Sequence, residues 1–233
     1  MVTTKVSIVL PPDMSINDKD TRVRISGRAH ELIMKYGIRS VSMDDIANAL
    51  GISKKTIYQY YADKDELIDA IVESIITENQ GRCLQYRANA RDAVDEVLKA
   101  GELLRDMFTD MNPSVLFDLQ KYHHKAFTRF LKHKNDFLFT MVKTNIEKGM
   151  AEELYRAELN VDVITRFRVE SMMMPFNPDF FSKHKHSLLE VEEQLLDHFL
   201  FGIASLKGHK LILKYKQESE KNASKYETSA KAK

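Results

Sequence analysis

The chain has no tryptophan and a single cysteine, Cys83, in 233 residues. One cysteine cannot close an intrachain disulfide, so the expected setting is a reducing cytoplasm and Cys83 reads as a structural thiol. Five prolines and eight glycines leave little punctuation for strands and turns, and helices are expected throughout. No run approaches ~18 consecutive apolar residues, which excludes a transmembrane helix. Residues 6–10, followed by Pro11-Pro12, are too short and too weakly basic for a secretory signal peptide. Strand-like alternation and internal repeats are also missing. So are H-E-x-x-H and C-x-x-C spacings, a Gly-rich phosphate loop and a Ser–His–Asp order, so no metal, cofactor or catalytic residue is expected. The adjacent His123 and His124 point to different sides of a helix, and His184 and His186 alternate with Lys183 and Lys185, whose charge disfavours a cation.

What is present is an ordinary globular composition, 43% hydrophobic and 30% charged, with a net charge of +1. That balance hides an asymmetry. From Lys207 onward eight lysines face three glutamates, a surplus of five, so the first 206 residues carry −4. Any attraction to a polyanion must therefore come from a few well-placed cations. Residues 1–18, with Pro11-Pro12-Asp13, read as a loose arm. Residues 19–66 carry four closely spaced helix starts and read as a three-helix head with the beginning of a connecting helix. Residues 67–210 read as a larger helical body, and 211–233 as a Lys-rich polar tail that frays. The fold class expected is all-α.

The informative stretch is 42–67. Ser42 precedes a short amphipathic run with Asp45 three residues on, a capping-box arrangement. Ile46, Ala47 and Leu50 share one face, and Ala47 is small enough for a second helix to approach. Gly51 permits the positive backbone angle of a tight turn. Ser53 caps the next helix, whose Ile57 and Tyr61 face inward four residues apart, giving a helix-turn-helix pair. The opposite face presents Lys54, Lys55, Thr56, Tyr58, Gln59 and Tyr60, the cations, hydroxyls and amide that phosphates and base edges accept. Lys55 and Gln59, at i and i+4, are the pair expected to look into a major groove. Lys64 opens the next helix, where backbone N–H groups favour a phosphate. Each residue alone also suits a solvated helix face; their joint occurrence within the turn pattern favours DNA over a protein-interaction module on the same fold.

These residues resemble the TetR family of transcriptional regulators over roughly residues 19–70. The match runs through Asp45-Ile46-Ala47, Gly51-Ile52-Ser53, Thr56-Ile57-Tyr58, Tyr60-Tyr61, Lys64 and Leu67, with Tyr61 where Phe is more usual and Lys55 where a small residue is frequent. The resemblance implies phosphate contacts from Ser42, Thr56, Tyr58, Tyr60 and Lys64. It further implies a homodimer on a pseudo-palindromic operator, an interface built from the last two body helices, a ligand cavity in the body, and repression released by the ligand. A ligand-independent or activating regulator is the alternative.

The body adds its own expectations. Residues 188–206 are apolar over more than one stripe, which assigns Leu189, Leu196, Phe199 and Ile203 to a dimer interface. The body is rich in Met and Phe and poor in obvious buried charge pairs. That suits an apolar effector lined by Phe108, Met141, Phe167, Met172 and Met173.

Overall fold

The computed structural model describes residues 16–177, 179–181 and 185–231. Residues 1–15 of the expected arm lie outside that set, as do Pro178, Lys183 and His184 of the charged loop. Residues 16–18 already belong to the first helix. The chain is all-α, and among the described residues the sole β feature is an isolated bridge between Tyr155 and Ala204.

The head consists of α1 (Ile16–Tyr36), α2 (Met43–Leu50) and α3 (Lys54–Tyr60). Ile25, Ala29 and Ile33, at helical spacing, turn the core face of α1 inward, whereas Tyr36, which continues the sequence stripe, is half exposed. Gly37, at φ 87°, ends α1 in the left-handed region. Helix α4 (Lys64–Ala88) crosses the expected head–body boundary without a break. At 25 residues it is about 37 Å long. Its Leu67, Ile68 and Ile71 join the head core, and that core extends to Leu119 of α6 (Ser114–Tyr122) and Ala126 of α7 (His124–Lys132). Head and body are thus packed together rather than strung on a linker.

The body continues through α5 (Ala93–Phe108), α8 (Phe139–Ala151), α9 (Val161–Ser171), α10 (Leu188–Ile203) and α11 (Leu206–Lys231). A π-helical segment, His133–Leu138, joins α7 to α8. A second core gathers Ala93 and Val94 of α5, Ile146 of α8, Tyr155, Leu200 and Ile203 of α10, and Ile212 and Tyr215 of α11.

Two expectations need correction here. Beyond 210 the chain does not fray: α11 runs to Lys231, with Ile212 and Tyr215 buried. The Tyr215 hydroxyl donates to Asp92, the Arg91 guanidinium lies 3.9 Å from the Tyr215 ring centroid, and Arg91 pairs with Glu218. Lys207, Lys210, Lys214 and Lys221 are exposed on a helix with two inward anchors. The body also contains a buried charge pair, Arg168–Glu192, at 2.6 Å with each residue only 2% exposed. Being on separate helices 24 positions apart, the two charges share no sequence pattern.

Candidate nucleic-acid interface

Local chemistry sets each part of the helix pair. Ser42 Oγ accepts the Asp45 N–H at 3.1 Å, and the Asp45 carboxylate accepts the Ser42 N–H at 2.8 Å, completing the capping box. The Ser42 hydroxyl, which donates to the Asp45 carboxylate at 2.6 Å, and the Ser42 N–H hold that carboxyl below its usual range. Gly51, at φ 67° and ψ 30°, makes the left-handed turn. Ser53 Oγ then accepts the Thr56 N–H at 3.0 Å to start α3. Ile57 and Tyr61 are completely buried and turn the rest of α3 outward.

A residue that no sequence motif marked completes the scaffold. Arg22 of α1 donates to the Tyr60 carbonyl at 2.6 Å, pairs with Glu66 at 3.2 Å, and lies 4.3 Å from the Tyr61 ring centroid. It ties α3 and the start of α4 to α1. One arginine in a helix is not a recognisable signal, because its partners come from 38 to 44 positions away.

The structure sorts the expected contact residues into two groups. Lys55 and Gln59 are exposed and make no hydrogen bond or ion pair among the described residues, and Tyr58 is 43% exposed beside them. The others are already engaged. Ser42, Ser53 and Thr56 serve the caps; Lys54 pairs with Asp44 at 2.7 Å. The half-buried Tyr60 directs its hydroxyl to Asp18 at 3.0 Å. Lys64 donates to the Ile38 carbonyl at 2.6 Å, and its burial lowers the ammonium pKa. Engaged caps and a carbonyl-bound ammonium keep spare donors, so they fix where a backbone would lie; the free face is Lys55, Tyr58 and Gln59.

A model of bacterial regulatory proteins of the tetR family matches residues 25–71, the stretch that forms this head. Over 186 residues the chain is 28% identical to the HTH-type transcriptional regulator YvaF of Bacillus subtilis, covering 78% of this chain and 95% of the relative. Residues 25–71 therefore match the DNA-binding head of the tetR family. It is also 22% identical to the HTH-type transcriptional repressor KstR2 of Mycobacterium tuberculosis, over 60% of this chain and 71% of that one. Among solved structures, a transcriptional regulator from Saccharomonospora viridis in complex with choline matches with a TM-score of 0.65 at 18% identity, covering 80% of this chain and 99% of that one. At such identity the likeness shows the fold.

No helix of the described residues is long and apolar enough to cross a membrane. The body forms a partly open pocket of about 100 Å³ between α4, α5, α8, α9 and α10, lined by Cys83, Leu104, Met141, Arg168, Met172 and Leu196 among others. Of the residues expected to line a ligand site, Met141 and Met172 line this pocket. Phe108 instead packs edge-on against Phe176, with ring centroids 5.3 Å apart, and Met173 lies beyond the cavity. Phe167 is 51% exposed on the outside of α9. The expected interface residues are also redistributed. Phe199 and Ile203 are buried in their own subunit, and Leu196 faces the cavity, which leaves Leu189 at the half-buried edge. A wide apolar arc on α10 signals two buried faces, but its residues alone do not say which face meets which neighbour.

Proposed function

We propose that this chain is a sequence-specific DNA-binding regulator that acts as a homodimer and represses transcription until a small molecule enters the body cavity. The carrying observation is the free Lys55–Tyr58–Gln59 face on a helix held rigidly by the buried Ile57 and Tyr61. Gln59 suits an adenine edge and Lys55 a guanine edge, while Tyr58 suits a phosphate. Duplex DNA is the partner that offers all three at major-groove spacing.

The test is a binding titration against an operator selected from genomic fragments. Lys55→Ala and Gln59→Ala are expected to relax discrimination between bases by about 1–3 kcal/mol each. Tyr58→Ala should weaken all duplexes alike. Unaltered affinity and discrimination in all three variants would remove the DNA-face assignment.

Support for an effector comes from the cavity and from the choline held by a structural neighbour. At about 100 Å³ the cavity is smaller than the ~150 Å³ void that accommodates benzene. A drug-sized molecule needs at least ~300 Å³. An effector of that size therefore widens the space by displacing Leu138 of the π segment, Met141 of α8 or Leu196 of α10. Arg168 supplies the polar anchor in a lining otherwise mostly apolar, so the ligand is amphipathic rather than wholly apolar. Operator release on adding hydrophobic or amphipathic compounds that raise the melting temperature checks this reading. Stabilisation without operator release would favour a regulator whose DNA binding is independent of the ligand.

A further inference from the structure

Two cations and two exposed aromatic rings meet where the head joins α6. The Arg39 guanidinium lies 5.1 Å from the Tyr122 ring centroid, and the Lys121 ammonium lies 5.4 Å from the same centroid and 5.4 Å from that of Phe117. Lys35 lies 5.3 Å from the Tyr36 ring centroid nearby in the chain. Tyr36, Phe117 and Tyr122 are 40–52% exposed. Neither Arg39 nor Lys121 has a carboxylate partner for its side chain among the described residues. Asp118, also on α6, is buried and accepts the backbone N–H of Arg39 at 3.3 Å.

We propose that Arg39 and Lys121, gathered on the Tyr122 ring, form an additional phosphate clamp on the DNA duplex, through which the body helix α6 touches DNA directly. The proposal rests on the DNA-binding reading above. Its physical basis is that two like charges converge on one ring with no carboxylate at ion-pair distance from either, an arrangement that an anion stabilises. The position identifies the anion. Loop 37–42 leads from the end of α1 to the N-terminus of α2, and the Ile38 carbonyl next to Arg39 holds the ammonium of Lys64, the first residue of α4, at 2.6 Å. Both helix starts favour phosphate, so a backbone that passes Ser42 and Lys64 arrives at Arg39. Two exposed cations hold a free small anion weakly in salt, whereas a polyanion gains by releasing its counterions. The clamp also has a regulatory consequence. Because Tyr122 and Asp118 belong to α6 while Arg39 belongs to the head, any displacement of α6 withdraws the support under Arg39 and weakens DNA binding.

The experiment measures affinity for the selected operator from 50 to 300 mM salt, using the full chain and R39A, K121A, Y122L and K55A. R39A and K121A should each reduce the slope of log affinity against log salt by about 0.9 per protomer and lower affinity about fivefold at 150 mM salt. Y122L keeps both charges but removes the ring, and should weaken binding severalfold while leaving base discrimination unchanged. Replacing single phosphates by neutral methylphosphonates should reveal one position that weakens the wild type but not R39A. Because all three side chains are exposed, melting temperatures should stay near that of the wild type. If K55A loses discrimination while R39A and K121A keep wild-type affinity and slope, the clamp is refuted and the DNA reading stands. If the wild type binds no duplex, both fall. If the Ala variants lose binding to an acidic protein but not to DNA, the clamp is likewise refuted.

Discussion

Gly208 and Gly81 both lie within helices, yet their surroundings predict opposite consequences for the same substitution. A Cβ on Gly208 would collide with the carbonyl oxygen of Leu154, a backbone atom that cannot rotate away. On Gly81, in α4, it would meet nothing. Gly208→Ala is therefore expected to destabilise by about 1–3 kcal/mol, and Gly81→Ala to stabilise by roughly 0.5–1 kcal/mol by removing glycine's unfolded-state freedom. Urea denaturation of the two variants decides this; equal effects would show that the approach of α11 to the Leu154 loop is not as tight as observed. Residues whose role is local were legible in the sequence. Ser42, Gly51, Ser53 and Asp63 act on partners within four positions. Arg22 was not legible, because its role depends on where the fold brings α3 and α4.

At the scale of elements, the π segment His133–Leu138 and helix α11 carry the main surprises. His133 is buried, with its Nδ1 3.2 Å from the Gln80 amide, and burial pushes its pKa down to about 4. The unfolded chain binds a proton near 6.5 while the folded chain does not, so this group's contribution is complete above pH 6.5. It is lost progressively as the pH falls from about 6.5 towards 4. The expected loss over that window is about 2 kcal/mol, discounted for incomplete burial. His133→Asn keeps an acceptor for Gln80 and should flatten stability over the same range, measured by urea denaturation at pH 7.5, 6 and 5. Helix α11 gives a separate prediction. Ending the chain after Lys210 removes the buried Ile212 and Tyr215 and should cost roughly 3–6 kcal/mol. Ending it after Lys221 leaves both in place and should cost little. Equal melting temperatures for the two truncations would return residues 211–221 to the status of a tail. Amphipathic stripes announced the helices themselves; the π segment left no such trace, since it preserves composition and shifts only the register.

At the scale of the whole molecule, the surface that remains apolar outside the two cores is the strongest pointer to assembly. Leu206 is 88% exposed and Leu213, seven residues on, is 45% exposed, while a Cβ on the exposed Gly202 would meet nothing. Together they make an apolar face across the end of α10 and the start of α11, suited to a second copy about a twofold axis. Leu206→Glu with Leu213→Glu is expected to shift a dimer towards monomer in light scattering without reducing helicity, because both side chains lie outside the subunit's own core. A charge at Ile203 should instead unfold the subunit. Operator affinity should fall with the dimer; a double variant that remains fully dimeric would move the interface elsewhere.

The sequence by itself determined the helical class, the caps that bound α2 and α3, the outward face of α3 and the likeness of the head to the tetR family. Those depend on residue spacing, on caps within one turn and on a pattern of a dozen neighbouring positions. Only the tertiary structure decided that Phe199 and Ile203 are core, that Phe167 is outside, that Arg168 and Glu192 are paired, and that α6 supports a head residue. Each of those is a relation between segments far apart in the chain, and an apolar or charged residue carries the same local pattern whichever neighbour finally covers it.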